Sequence, residues 1–226
     1  MLNIAKINFK RVAGWPTNRP AENVIEDLEL VFIHIPKTGG TSIRKVLEPL
    51  GPSRDRYPGL GKHEPARIMR ASIGRRKWDR YCSFAVVRNP WDWAVSSYHW
   101  WTQIAARHVS LVERVDSIQK MGSFRNFVRS DYFKYYIHEF QAKDYAEWIV
   151  DNGKILVTDV LKFESLDKDW KQLVNKYQLP LEALPHLNVS KRVGYQSYYD
   201  EETAKLVADK FSASIDLFGY TFESQE

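Results

Sequence analysis

The chain has 226 residues, enough for one α/β domain with a full hydrophobic core and short for two. Its 33 lysines and arginines against 28 acidic residues give a formal charge of +5, which suits an anionic ligand but is shared by many proteins without one. A single cysteine, Cys82, excludes an internal disulfide and a multi-cysteine zinc site, and no apolar run reaches the ~18 residues of a membrane span. With no signal-like amino terminus, the expectation is a soluble, unprocessed cytoplasmic protein in a reduced compartment.

In chain order, residues 1–27 read as an amino-terminal extension with a short strand at Ile4–Phe9 and a loop through Pro16 and Pro20. Leu28–Ile35 is an apolar strand and Thr41–Leu47 a helix, followed by a Gly-, Pro- and Arg-rich loop over Glu48–Lys62. Pro65 opens a helix to about Ile73, and the buried strand Cys82–Val87 feeds a helix over Pro90–Trp101. Residues 102–153 read as mostly helical, with apolar spacing at Phe124, Phe127 and Val128 and again at Tyr145, Trp148 and Ile149. A strand over Ile155–Phe163, a helix over Leu166–Tyr177, a loop over Leu179–Tyr198 and a helix over Asp200–Phe211 complete the chain. Strands alternating with helices predict a mostly parallel sheet in a single α/β domain over residues 1–226.

Two strand-to-helix junctions carry the chemistry. In the first, Ile35-Pro36-Lys37-Thr38-Gly39-Gly40-Thr41-Ser42 ends an apolar strand and opens a helix. Gly39 and Gly40 let backbone N–H groups approach an anion closely, Thr41 or Ser42 is expected to cap the helix, and Lys37 adds a cation. A Walker A loop is excluded, because Gly61-Lys62 is followed by His63 and has Arg56 at the offset of the first glycine, and Gly153-Lys154 is followed by Ile155. A dinucleotide fingerprint fails too, since Gly59-Leu60-Gly61 has Glu64 in the third glycine's place. In the second junction Arg88 ends a strand and Ser96 lies eight residues on, about two helical turns, where it returns to the same side. Arginine with a hydroxyl suits a second phosphate. The two junctions together point to a nucleotide with phosphates at separate positions.

In these motifs the chain resembles sulfotransferases that use 3′-phosphoadenosine 5′-phosphosulfate (PAPS), and among them the bacterial and Golgi-type carbohydrate sulfotransferases. Further likeness runs through Phe163-Glu164-Ser165-Leu166, Pro185-His186-Leu187-Asn188-Val189-Ser190, Tyr198-Tyr199-Asp200 and Asp216-Leu217-Phe218-Gly219-Tyr220, so it covers about residues 28–222. The resemblance implies a P-loop NTPase-like three-layer sandwich, a central mostly parallel sheet flanked by helices. It also implies that Pro36, Lys37, Thr38, Gly39, Gly40, Thr41 and Ser42 hold the 5′-phosphosulfate and that Arg88 and Ser96 hold the 3′-phosphate. Lys191-Arg192-Val193-Gly194 is similar to a basic loop that closes over the 3′-phosphate, which makes Arg192 a candidate, with Lys191 an equal rival.

Sulfuryl transfer needs a cation where charge develops on the leaving phosphate, and Lys37 is the candidate. It also needs a general base for the acceptor hydroxyl, and requires no metal and no redox step. His63, before a helix start that disfavours the imidazolium, is the first choice, and Glu64 competes with it. His34 is expected to fix the loop by local hydrogen bonding. The acceptor is expected to be an alcohol, with carbohydrate favoured. The segments Gly51–Lys62 and Trp101–Tyr136, the latter overlapping a variable helical acceptor region over 102–153, carry Arg54, Arg56, Lys62, Arg107, Arg114, Arg125 and Arg129, and Tyr57, Tyr132, Phe133, Tyr135 and Tyr136 either offer ring faces to a sugar or pack in the core. Neither nucleic acid nor membrane is an expected partner. Two other classes compete: a P-loop-like kinase or hydrolase, which lacks its Gly-Lys-Ser/Thr here, and a non-catalytic polyanion-binding module, for which charge is the sole argument.

Overall fold

The computed structural model describes residues 23–51, 57, 60–104, 112–138, 140–185 and 194–223. Their elements in chain order are β1 (Val24–Ile25), β2 (Leu30–Ile33), α1 (Gly40–Leu47), α2 (Ala66–Ile73), α3 (Arg75–Trp78), β3 (Cys82–Val87), α4 (Pro90–His99), α5 (Val112–Gln119), α6 (Phe124–Arg129) and α7 (Asp131–Tyr135). Then come β4 (Tyr136–Ile137), β5 (Phe140–Gln141), β6 (Val150–Asp151), β7 (Lys154–Ile155), β8 (Asp159–Lys162), α8 (Leu166–Lys176), α9 (Glu201–Lys210) and α10 (Ser212–Phe218). The strand expected at Ile4–Phe9 and the Lys191-Arg192-Val193 turn lie outside the described residues. The fold is mixed α/β, in two compact units: residues 23–88 with 147–185, and 89–146 with 194–223.

The first unit is built on apolar runs that do not alternate. Every residue of β2 and β3 is buried, the pattern of strands covered on both faces. β2 and β3 pair in parallel, Leu30 opposite Cys82, and β3 pairs in parallel with β8, Phe84 opposite Asp159. β1 joins β2 antiparallel, so the sheet order is β1-β2-β3-β8 and the sheet is mostly parallel. Phe32 and Phe84 stack at 5.0 Å between centroids, and Phe84 meets Trp170 of α8 at 5.9 Å. Ile43 and Leu47 of α1 join the same core. Each such buried side chain contributes about 1.5–3 kcal/mol.

The strand expected over Ile155–Phe163 is shorter, and the reason is local. Asn152 and Gly153 take φ of 49° and 74°, closing a tight hairpin between β6 and β7 that claims Ile155. The chain then reaches β8 through Thr158, whose hydroxyl donates to the Ser83 carbonyl at 2.7 Å and accepts the Ser83 N–H at 3.0 Å.

In the second unit, Asn89 caps α4: its Oδ1 accepts the N–H groups of Trp91 at 3.1 Å and Asp92 at 3.5 Å. The helix ends at His99 and loosens into a π-helical turn over Trp100–Ile104. The mostly helical reading of 102–153 is corrected: α5 to α7 are helices, but β4 pairs with β5, β6 pairs with β7, and Tyr145–Trp148 is one 3₁₀ turn. Apolar residues three apart fit a 3₁₀ turn as well as an α-helix, so their spacing did not discriminate. Trp93, Tyr145 and Phe211 fill this unit's core. The capping box of Asp200 and Thr203 starts α9, and α10 follows as a helix the sequence pattern did not reveal.

Candidate active site

The junction between β2 and α1 is a strained loop tied down from beneath. Lys37 takes φ of 67° and Gly39 φ of 86°, with Thr38 between them outside the positive-φ region. Alternating handedness of this kind turns successive N–H groups into an anion-binding concavity. A lysine there costs about 1–2 kcal/mol, so other contacts must hold it. Thr38 is fully buried and donates its hydroxyl to the Ile35 carbonyl at 2.9 Å. Arg88, at the end of β3 and itself buried, donates from Nη1 to the Lys37 carbonyl at 3.0 Å. Its guanidinium lies 4.0 Å over the Phe163 ring. Phe163 and Leu166 also floor Gly39, where a Cβ would meet each at 3.1 Å.

The cap of α1 differs from expectation. Gly39 is the N-cap, in the left-handed region with no side-chain hydrogen bond, while Thr41 and Ser42 lie inside the first turn. Only glycine takes that conformation without penalty, so the helix starts two residues earlier than a Thr41 cap would place it, and three earlier than a Ser42 cap. The N-cap residue thus makes no side-chain hydrogen bond to this helix start, in contrast to α4, where Asn89 occupies the same kind of N–H groups. An N-terminus left in this state is what phosphate binds. Gly40 also has a steric reason: a Cβ there would fall 2.0 Å from Nε2 of His34, whose ring lies against the helix start.

His34 also reaches the candidate base. Nδ1 of His63 lies 2.8 Å from the His34 carbonyl, and the two rings are 4.3 Å apart. Because a carbonyl only accepts, His63 carries hydrogen on Nδ1, and in its neutral form the lone pair is on Nε2. The His63 carbonyl accepts the indole N–H of Trp148 at 3.0 Å. Glu64 is buried, with Oε1 accepting the Gly61 N–H at 3.0 Å. The helix start beyond is α2, with Pro65 as its N-cap.

Ser96 lies half-buried on α4 in the second unit, and Arg192 lies outside the described residues. In that second unit the basic side chains divide in two. Arg125 and Arg129 pair with Glu202, and Arg125 also with Asp200 at 3.1 Å. Arg114 has no carboxylate partner among the described residues and sits 5.8 to 5.9 Å from the ring centres of Trp101, Tyr132 and Tyr136. Tyr132 and Tyr136 stack with centroids 5.3 Å apart and planes within 6°. Among the described residues no group of three or more His, Cys, Asp or Glu side chains is placed to hold a metal ion, and no helix is long and apolar enough to cross a membrane.

Residues 23–221 match the sequence model of the sulfotransferase family. The chain belongs to the sulfotransferase family. It is accordingly a transferase of sulfuryl groups in general type. It is also similar to an uncharacterized protein of Archaeoglobus fulgidus, 26% identical over 134 residues, which cover 58% of this chain and 97% of that one. No solved structure matches.

Within this sulfotransferase, two contributors went unread in the sequence. Phe163 had a signal, since it opens the Phe163-Glu164-Ser165-Leu166 segment, but nothing local said that its ring would floor the loop. Trp148 was counted only as part of an apolar face, because a hydrogen bond spanning 85 residues leaves no pattern in either segment.

Proposed function

We propose that this protein transfers the sulfuryl group of PAPS to a hydroxyl of a carbohydrate by in-line displacement, on a P-loop-like three-layer scaffold. The observation that carries the reading is the β2–α1 loop: left-handed Lys37 and Gly39, a helix start whose N-cap is a glycine with no side chain to occupy its N–H groups, and Arg88 fixed to the loop's own carbonyl. The residues from Pro36 to Ser42 would hold the 5′-phosphosulfate. Arg88 and Ser96 are proposed for the 3′-phosphate on the sequence pattern, as is Arg192.

In the step itself, Nε2 of His63 takes the acceptor's hydroxyl proton as that oxygen bonds to sulfur. The bond from sulfur to the bridging phosphate oxygen breaks, and the ammonium of Lys37 meets the charge that develops there. His63 is preferred to Glu64 because the Glu64 carboxylate accepts a hydrogen bond from its own loop. A carbohydrate acceptor bearing an acidic group is favoured by Arg114 and the parallel rings of Tyr132 and Tyr136, a cation beside flat apolar faces.

Calorimetry without added metal tests the donor site, with adenosine 3′,5′-bisphosphate, 5′-AMP and ATP as ligands. The expected result is bisphosphate binding in the micromolar range, with AMP far weaker. Equal affinity for the three, or magnesium-dependent preference for ATP, would overturn the reading.

A further inference from the structure

If His63 is the base, as the sulfotransferase reading above has it, the way it is held matters to the reaction. His63 is pinned at two atoms by two elements far apart in sequence. Its ring donates from Nδ1 to the carbonyl of His34, at the end of β2, and its own carbonyl accepts from the indole of Trp148, which is fully buried. The flanking backbone is fastened as well: the Asn23 amide donates to the Lys62 carbonyl at 2.7 Å, and the Gly61 N–H donates to Glu64. His34 in turn cannot drift. Its ring stacks on Phe32 at 5.2 Å and lies against Gly40, so the carbonyl that orients His63 is set by the phosphate-loop helix itself.

We propose that Trp148 and His34 are positioning residues for the base. Together they keep the hydrogen of His63 on Nδ1 and aim the Nε2 lone pair at the acceptor hydroxyl. Their effect grows as the reaction proceeds. When Nε2 takes the proton the ring becomes cationic, and the Nδ1–H bond to the His34 carbonyl becomes charge-assisted and stronger. An imidazole held by its backbone at one end and its ring at the other keeps little freedom to turn away, which is what a near-attack geometry demands.

Heteronuclear NMR of ring-labelled histidine reads the tautomer without any turnover. The expected result for the full chain is His63 with hydrogen on Nδ1, the minor form of histidine in water. Trp148→Phe keeps an aromatic ring and removes the N–H. It is expected to move His63 toward the Nε2–H form and to lower kcat by about 10- to 100-fold, with bisphosphate Kd and acceptor KM within about twofold. Wild-type His63 protonated on Nε2, or Trp148→Phe with full kcat, would overturn the proposal. If the Nδ1–H tautomer is found but the bisphosphate does not bind, the donor reading itself has failed, and a base for sulfuryl transfer goes with it.

Discussion

Gly40→Ala puts the arrangement under direct stress. The added methyl would lie 2.0 Å from Nε2, 2.2 Å from Cδ2 and 2.7 Å from Cε1 of His34. Ordinary carbon contacts begin near 3.5 Å, so the ring must retreat by about 1.5 Å. It has no room to do so: His34 is 5% exposed, with Phe32 stacked on it and the His63 ring 4.3 Å away. Overpacking of this kind costs about 1–3 kcal/mol, and a clash this deep belongs at the upper end. Against it stands a gain of at most about 1 kcal/mol from alanine in a helix, available because Gly40 is not among the positive-φ residues. The net loss is about 2 kcal/mol, or roughly 4–8 °C in Tm for a chain of this size. Urea unfolding followed by tryptophan fluorescence measures it. Repeating the substitution in a His34→Ala background isolates the cause, since there the methyl meets no ring and should be neutral or stabilising by up to about 1 kcal/mol. An equal cost in both backgrounds would refute the claim that Gly40 exists to seat His34.

Lys37→Ala should cut sulfuryl turnover about 100-fold or more while weakening bisphosphate binding about tenfold or less, because the ammonium matters most as the leaving group gains charge; steady-state kinetics beside calorimetry separate the two. Arg88→Lys should weaken bisphosphate binding by about tenfold, since lysine can neither stack as a plane on Phe163 nor hold the Lys37 carbonyl in the same geometry. Arg114→Gln should raise KM for an acidic sugar acceptor and leave that for a neutral one unchanged, as initial rates on matched acceptors would reveal. Asp159 provides a pH test: although partial burial works against it, hydrogen bonds from Lys176 at 2.6 Å and Tyr177 at 2.6 Å hold its carboxyl below the ordinary value of 3.8. The stabilisation is therefore present above that pH and lost as the pH falls through the folded-state value. Lys176→Met should flatten the acid limb of a stability–pH curve, read by urea unfolding between neutral pH and about pH 3.

What could be read in advance followed from how local the physics is. Cys82–Val87 is a strand from end to end because the apolar run Phe84–Val87, extended by Cys82 and a small Ser83, is suited to burial on both faces, and Pro90 after Asn89 marks a helix start through a fixed φ and a missing N–H. The Pro36–Ser42 loop was legible for the same reason: glycines next to an apolar strand change the backbone whatever the tertiary context. Its cap was misread, because a left-handed glycine and a hydroxyl are both good starts and only the observed φ at Gly39 decides between them. Residues 136–155 fooled the pattern, since very short strand pairs leave too few residues for a period of two to register. The Asn152-Gly153 turn was the signal there, and it outweighs the apolar spacing around it. Least legible were contacts that join distant segments, Arg88 to the Lys37 carbonyl and Trp148 to that of His63. The sequence names the residue types for such bonds but not their partners.

Sulfuryl transfer to a hydroxyl from a donor held at the β2–α1 loop can be followed atom by atom. The most direct measurement gives the protein PAPS carrying a radiolabelled sulfuryl group, with a panel of neutral and acidic carbohydrates, and follows label and adenosine 3′,5′-bisphosphate together. The expected result is label on a sugar hydroxyl, one bisphosphate released for each transfer, and loss of both in Lys37→Ala and His63→Ala. Tight binding of the bisphosphate with no transfer to any hydroxyl, or transfer undiminished in both variants, would contradict it.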